Sequence, residues 1–420
     1  MLQYAELQRE ISMNKKIFSF LVVFMAFAHT YGTPGASISF GELLMFIGIP
    51  LYFKSGLQVS LENYERGFVL WFVYMTIISM IMGIVYDAPM TKYFSIARAG
   101  FYWVLIFYFG KNLFNRKIFE KWMIVFSVAL SVFILVQFLT YMLAGFYIPG
   151  LIYGLPISNG SENGMATYQH SLNMAKWFGV LRPHGFLAEP AHASQFLFIS
   201  IVTLICNKNL LFKKKIFLVI LFSSSVVMTQ STTGIILLGL AWLLFMIVEE
   251  RLSVYRLPFF MFFFIMGIYV LFGGVETSLS AIERVVNIVN GSEIDGSSNV
   301  RLNNGLEVFS DLPFVFKVFG TGAGLSEFVF NSLDFKSVSS YMNALAGIFF
   351  NTGVIGGLIW LASLVIMFVK SGLLGKSLVV GFFTMTLGCS IYCQPQMVWF
   401  FLLILADIKE KNDRYSCVKL

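Results

Sequence analysis

Charged residues are scarce in this chain. Only 12% of its 420 residues are Asp, Glu, Lys or Arg, whereas 58% are hydrophobic. A soluble domain carries about 25% charged residues, so the composition excludes an ordinary soluble protein. It predicts an all-α, polytopic integral membrane protein in which residues 1–420 form a single membrane domain. The net charge of +7 then reflects lysines and arginines that flank apolar segments, and we expect no nucleic-acid partner.

Cysteine is also scarce, and motifs for metals and nucleotides are missing. The four cysteines are Cys206, Cys389, Cys393 and Cys417, and none lies in a long polar loop, which excludes a disulfide framework there. The loops contain no HExxH segment and no cysteine or carboxylate cluster, so we expect no metal site and no cofactor. The glycine-rich run 319–324 lacks the Lys-Ser/Thr pair of a nucleotide loop, which argues against ATP binding.

Apolar stretches, by contrast, recur along the whole chain. About 20 apolar residues cross a bilayer core, and tilt or packing partners allow fewer. On this basis the sequence predicts about twelve spans, at residues 17–32, 38–53, 67–86, 94–110, 122–148, 193–206, 216–230, 233–248, 257–273, 342–369, 375–392 and 395–407.

The positive charges predict how these spans are oriented. If the connections are assigned alternately to two sides, 21 of the 29 lysines and arginines fall on the same side as both termini. By the positive-inside rule that side is cytoplasmic. Two long loops, 149–192 and 274–341, then face outward, and long loops between spans are often functional.

The first of these loops ends in the most polar stretch of the chain, residues 182–194. Arg182, His184, Glu189 and His192 fall within eleven positions, and the chain has only four histidines. Proline is favoured at the first position of a helix, so Pro190 predicts the start of the following span, with Glu189 at its cap. A helix N-terminus favours anions. The alternative is a capped interfacial helix with a hydrogen-bonded histidine.

Arginines in the outward parts of the chain are candidates for binding phosphate, because the guanidinium group is planar and always charged. Arg182 in the first loop and Arg301 in the second would form a sharper site if folding brings them together. Arg284 also lies in the second loop, where a solvated role is the simpler interpretation. Arg98 lies near the outer end of a span, where it is either functional or directed to the interface.

At this point the motifs resemble the bacterial O-antigen polymerase and ligase superfamily. Residues 182–190 are similar to its R-x-x-G-x-x-x-E-P pattern, and residues 229–234 resemble the Ser/Thr-Gly turn that follows. In the second loop, 301–313 and 320–324 resemble its Arg, Pro and G-x-G-x-G run. Residues 343–357 resemble the "N … L … G-x-x-G" start of the next span. The motifs occur in the family's order and cover roughly residues 180–407.

This resemblance implies a metal-independent glycosyltransferase with a GT-C-like fold in the bacterial inner membrane, with its active site on the periplasmic face. Its substrate would be an undecaprenyl-diphosphate-linked oligosaccharide, in contact with membrane lipid, and a chain-length regulator would be a further partner. The family's ligases carry a histidine directly before the Asn that is Asn343 here. Because Met342 occupies that position, the resemblance favours an O-antigen or capsule polymerase over a ligase.

The chemistry of a lipid-diphosphate donor suggests roles for the candidate residues, because its leaving group needs positive charge and the acceptor hydroxyl needs a base. Arg182, Arg301 and Arg98 would bind the diphosphate, and either Glu189 or His192 would handle the proton of the acceptor hydroxyl. The further candidates are His184, Arg284 and Asn343. The alternatives are an O-antigen ligase and a non-enzymatic flippase or transporter of lipid-linked oligosaccharides, for which we would expect more charge within the spans.

Overall fold

The computed structural model describes residues 2–33, 38–53, 60–152, 155–156, 181–249, 305–326, 328–329, 343–389, 391 and 394–418. In these ranges the chain is all-helical and contains no β-strand, as the sequence predicts. Most of the two predicted outward loops and the predicted span 257–273 lie outside the described residues, as do Arg284 and Arg301.

Thirteen α-helices of six or more residues account for most of the described residues. They are α1 (Leu2–Ala28), α2 (Phe40–Phe53), α3 (Asn63–Val85), α4 (Phe94–Val104), α5 (Arg116–Ala144), α6 (Pro190–Cys206), α7 (Phe212–Met228), α8 (Thr232–Val248), α9 (Gly305–Asp311), α10 (Phe314–Phe319), α11 (Ala344–Lys370), α12 (Leu373–Gly388) and α13 (Pro395–Val418). A single π-helical turn, Leu105–Gly110, continues α4.

The helices form two compact units. The first contains α1, α2 and α5–α8, and the second contains α3, α4 and α9–α13. In the first unit α6 packs against α5, α7 and α8, and every side chain from Ala193 to Ile205 is buried. A helix that is surrounded by other helices needs no polar face, which explains why α6 has no charged residue after His192.

Among the described residues, three helices are long and apolar enough to cross a membrane: Asn63–Val85, Arg116–Ala144 and Ala344–Lys370. Several shorter apolar helices accompany them among the described residues, including Pro190–Cys206 and Thr232–Val248. The chain is therefore compatible with a membrane protein, while the count of about twelve spans and the GT-C fold stay predictions.

The outer face of α3 shows why a membrane suits these helices. Leu70, Val73, Ile77, Ile81 and Ile84 are each between 46% and 81% exposed. Their spacing of three or four residues places them along one side of the helix. Such a continuous apolar stripe is unfavourable in water and favourable against lipid.

Helix boundaries differ from the predicted spans mainly at the two ends of the chain. The span predicted at 17–32 covers the second half of α1 and runs four residues past its end at Ala28, and the span predicted at 395–407 is the first half of α13. The N-terminal extension is rich in Glu, Gln, Lys and Leu, which favour helix, and the C-terminal extension is polar and contains Lys and Glu. The apolar run therefore predicts where a membrane helix would meet lipid, but the helix continues into polar sequence.

In the second unit α11 is interrupted at Gly353, which has φ 62° and ψ −171°. The glycine-rich run after α10 fills this break. The backbone N–H groups of Thr321 and Gly322 donate to the carbonyl oxygens of Phe350 (2.7 Å) and Asn351 (3.1 Å). In a continuous helix, each of these carbonyl oxygens would accept from an N–H group four residues later in α11. The N–H groups are thus committed to the helix rather than available to a phosphate.

Replacing Gly353 by alanine is expected to destabilise the protein by about 3 kcal/mol, because this backbone conformation is accessible essentially to glycine alone. A Cβ atom there would also lie 2.2 Å from the carbonyl oxygen of Val318. Gly239 in α8 is a matched control, since a Cβ atom there meets nothing within 4 Å. Thermal unfolding in detergent should show a large loss for G353A and little change for G239A; equal melting temperatures for the two would contradict this account.

Candidate functional site

The polar stretch 182–194 begins with a turn that is hydrogen-bonded to α5. Gln137 of α5 is fully buried; its Oε1 accepts from the N–H of Gly185 (2.9 Å), and its Nε2 donates to the carbonyl oxygen of Ile148 (2.8 Å). Gly185 has φ 65°, and a Cβ atom there would lie 2.3 Å from Leu130 Cδ1. The glycine of the R-x-x-G pattern is therefore needed for close approach to α5.

His184 helps to hold this turn together. Its side chain is only 3% exposed, and Nδ1 is 2.5 Å from the carbonyl oxygen of Leu187. A carbonyl can only accept, so Nδ1 carries the proton and donates it. Burial lowers the pKa of His184 from its usual 6.5 to about 4, and the Leu187 carbonyl and Glu189 offset only part of that effect. The ring is therefore neutral at pH 7. The hydrogen bond to Leu187 gives His184 a role in stabilising this turn.

The lowered pKa of His184 makes the stability of the fold depend on pH. The unfolded chain binds a proton below pH 6.5 and the folded chain does so only near pH 4, so stability is complete above pH 6.5 and falls as the pH drops towards 4. The total loss is about 3 kcal/mol. His184→Asn keeps a donor for Leu187 without a titrating ring. Its melting temperature should therefore depend less on pH between 6.5 and 4 than that of the unchanged protein, and parallel curves would contradict this.

Helix α6 begins where the sequence predicts. Pro190 is its first residue and Glu189 is the N-cap, in extended conformation. The carbonyl oxygen of Glu189 accepts from Ala193 N–H (3.2 Å), but its side chain makes no capping hydrogen bond. Glu189 is exposed and His192 is half-buried. A carboxylate and an imidazole are thus held at one helix end, and the carboxylate is not used as a cap.

The 229–234 turn joins this helix end. Ser194 Oγ lies 2.9 Å from Thr229 Oγ1 and donates to the carbonyl oxygen of Pro190 (2.9 Å). The Oγ of Ser231 accepts from Gly234 N–H (3.2 Å) and so caps α8. A Cβ atom on Gly234 would lie 2.5 Å from Ser194 Oγ, so α6 and α8 start side by side. The structure thus brings together two motifs that are about 40 residues apart in sequence.

Two adjacent helix N-termini have a definite electrostatic consequence. The first N–H groups of each helix have no carbonyl partner within the helix, and both helix dipoles place partial positive charge at this end. Arg182 is half-buried in the turn that leads into α6. The junction therefore suits an anion, and the buried hydroxyl groups of Ser194, Thr229 and Ser231 hold it together by hydrogen bonds within the protein.

The remaining predicted site residues are placed as follows. Arg98 is half-buried in α4, and Asn343 is the N-cap of α11, where its Oδ1 accepts from Ala346 N–H (2.7 Å). Both belong to the second unit. Arg284 and Arg301 lie outside the described residues, so the meeting of Arg182 with Arg301 stays a prediction. Asn343 has a clear structural role as a cap.

Sequence reasoning did not include Thr229, Gln230 or Ser231 among the site residues, although it noted the 229–234 motif. The available signal was a polar Thr-Gln-Ser-Thr-Thr run between two apolar helices. In the part of the chain that the structure describes, no group of three His, Cys, Asp or Glu side chains comes together as a metal site would require.

A scan of family models and a search of curated proteins each find no match to this chain. The motifs in the sequence, and the positions that the structure gives them, therefore carry the functional argument.

Proposed function

We propose that this protein is a surface-polysaccharide polymerase of the bacterial inner membrane. It would transfer a glycan chain from undecaprenyl diphosphate to another lipid-linked repeat unit, on the periplasmic side. The observation that carries the proposal is the junction of the 182–194 segment with the 229–234 turn, at the start of α6 and α8. Two helix N-termini, an arginine, a carboxylate and an imidazole in one segment are what a diphosphate leaving group and an acceptor hydroxyl require.

In the proposed step, the acceptor hydroxyl oxygen forms a bond to the anomeric carbon of the donor sugar. The bond from that carbon to the diphosphate oxygen breaks, and the electron pair leaves with the polyprenyl diphosphate. Negative charge grows on the diphosphate, where Arg182, the helix N-termini and Arg301 would stabilise it. Glu189 or His192 would take the hydroxyl proton.

The choice of donor follows from the proposed topology. Both termini and most positive charge would lie in the cytoplasm, so the 182–194 segment faces outward. Nucleotide sugars are made and kept in the cytoplasm, which leaves a lipid-linked sugar as the activated donor. The proposed architecture is a GT-C-like bundle of about twelve spans, and a chain-length regulator would be a further partner.

A deletion strain of the source organism separates this function from its two rivals. Loss of a polymerase leaves single repeat units on the cell surface, which we expect. Loss of a flippase leaves no surface glycan, and loss of a ligase leaves long polymer that is not attached to its acceptor. Gel analysis of the surface glycan distinguishes the three, and either of the last two patterns would contradict the proposal.

A further inference from the structure

Gln230 has an unusual backbone conformation for its residue type. Its φ is +50°, and Asp87 is the only other non-glycine residue with positive φ in the described part of the chain. Side chains with a Cβ atom disfavour this left-handed region, and glycine is the usual residue there. The chain therefore keeps a glutamine at a position where glycine would be less strained.

The side chain of Gln230 is also in an unfavourable environment. It is 4% exposed, and its Oε1 is enclosed by protein without a hydrogen-bond partner in the described residues. Its neighbours Thr229 and Ser231 both make hydrogen bonds through their hydroxyl groups. A buried amide oxygen without a partner is destabilising, because the hydrogen bond to water that it has lost is not replaced. The backbone conformation and the buried side-chain oxygen of Gln230 are therefore both destabilising.

This residue lies within the polar junction of α6 and α8. Thr229, directly before it, places its Oγ1 2.9 Å from Ser194 Oγ. Ser194 is two residues after His192 on α6. Gln230 therefore occupies the turn beside the proposed acceptor site, between the end of α7 and the cap of α8.

We propose that Gln230 binds a hydroxyl group of the glycan, an inference that rests on the proposed polymerase function. The atom without a partner is the amide oxygen, which can only accept, and a sugar hydroxyl can donate a hydrogen bond to it. A phosphate would instead be met by the helix N–H groups and arginine. Backbone strain and an unpaired polar group that persist together are typical of a site that is prepared for a ligand.

The test compares Gln230→Gly with Asp87→Gly. Both changes relieve a positive φ, but Asp87 is exposed and lies in the second unit, outside the 182–194 segment and the 229–234 turn. We expect both variants to melt at a higher temperature than the unchanged protein. Only Q230G should lose activity, by about tenfold in kcat/KM for the lipid-linked repeat unit, which corresponds to one neutral hydrogen bond. Gln230→Asn keeps an amide and tolerates positive φ, so it should recover part of the activity.

The following results would contradict a role for Gln230 in binding the glycan. A Q230G variant that is less stable and less active would show that Gln230 only supports the fold, and a Q230G variant with full kcat/KM would show that it contacts no glycan. If the unchanged protein extends no chains, the polymerase function fails separately. The lipid-linked repeat unit should still raise the melting temperature of the unchanged protein more than that of Q230G, and an equal rise in both would overturn the contact.

Discussion

Replacing Arg182 by alanine is expected to lower the rate of chain extension by about 10²–10³-fold. A loss of this size is typical when an enzyme loses one group that stabilises charge in the transition state. The diphosphate gains negative charge as it leaves, and Arg182 lies in the turn that leads into α6, whose start adjoins that of α8. Arg182→Lys should recover only part of the rate, because an ammonium group lacks the planar pair of donors. The rate is measured as polymer formed by purified protein in lipid vesicles.

Arg301→Ala should cause a loss of similar size, and the double variant should be little worse than either single variant if both arginines bind one diphosphate. Arg414→Ala is the control. The Arg414 side chain is 81% exposed and forms a surface ion pair with Glu410 at 3.8 Å, so this variant should have normal activity. Melting temperature and the amount of protein in the membrane separate a lost contact from a lost fold. Full activity in both R182A and R301A would remove the two-arginine site.

Removing the proton acceptor should have an effect of about 10²–10⁴-fold. Glu189→Gln and His192→Gln distinguish the two candidates. Because the Glu189 carboxylate makes no capping hydrogen bond, its amide should leave the start of α6 unchanged. We expect one variant to show the large loss and a changed pH–rate profile, and the other to stay within a few fold of the unchanged protein.

Glu410→Gln is the matched control for the Glu189 change, since the Glu410 side chain is 44% exposed at the far end of α13. It should have unchanged activity and an unchanged pH–rate profile. If both Glu189→Gln and His192→Gln keep full activity, neither side chain takes the proton, and the 182–194 segment serves only to bind.

Local rules were sufficient to predict the start of α6. Pro190 fits the first helical position and the preceding Glu189 fits the cap, and the structure confirms both. The hydrogen bonds that fasten this segment were not predictable in the same way. Gln137 contacts Gly185 across 48 positions of sequence, and such a contact depends on how α5 packs rather than on local pattern.

The meeting of the 182–194 segment with the 229–234 turn follows from helix lengths. Helices α6 and α7 each have 17 residues and a short connection, so the chain returns to the level at which it started. Sequence alone supplied these lengths to within a few residues. It did not supply the left-handed conformation of Gln230, since nothing in the sequence requires glutamine at such a position.

The break in α11 could not be predicted from the hydropathy of the sequence. Residues 342–369 are apolar enough to predict one continuous span, and the break at Gly353 does not change their composition. The partner of the break, the glycine-rich run with Thr321, is about 30 residues away in sequence. Only the fold shows that the N–H groups of Thr321 and Gly322 donate to α11.

The most direct test uses purified protein in lipid vesicles with undecaprenyl-diphosphate-linked repeat units as the sole glycan, without nucleotide sugars. A polymerase should convert them into a ladder whose bands differ by one repeat unit, with release of undecaprenyl diphosphate. Intact, correctly oriented substrate that stays as single units would contradict the proposed function.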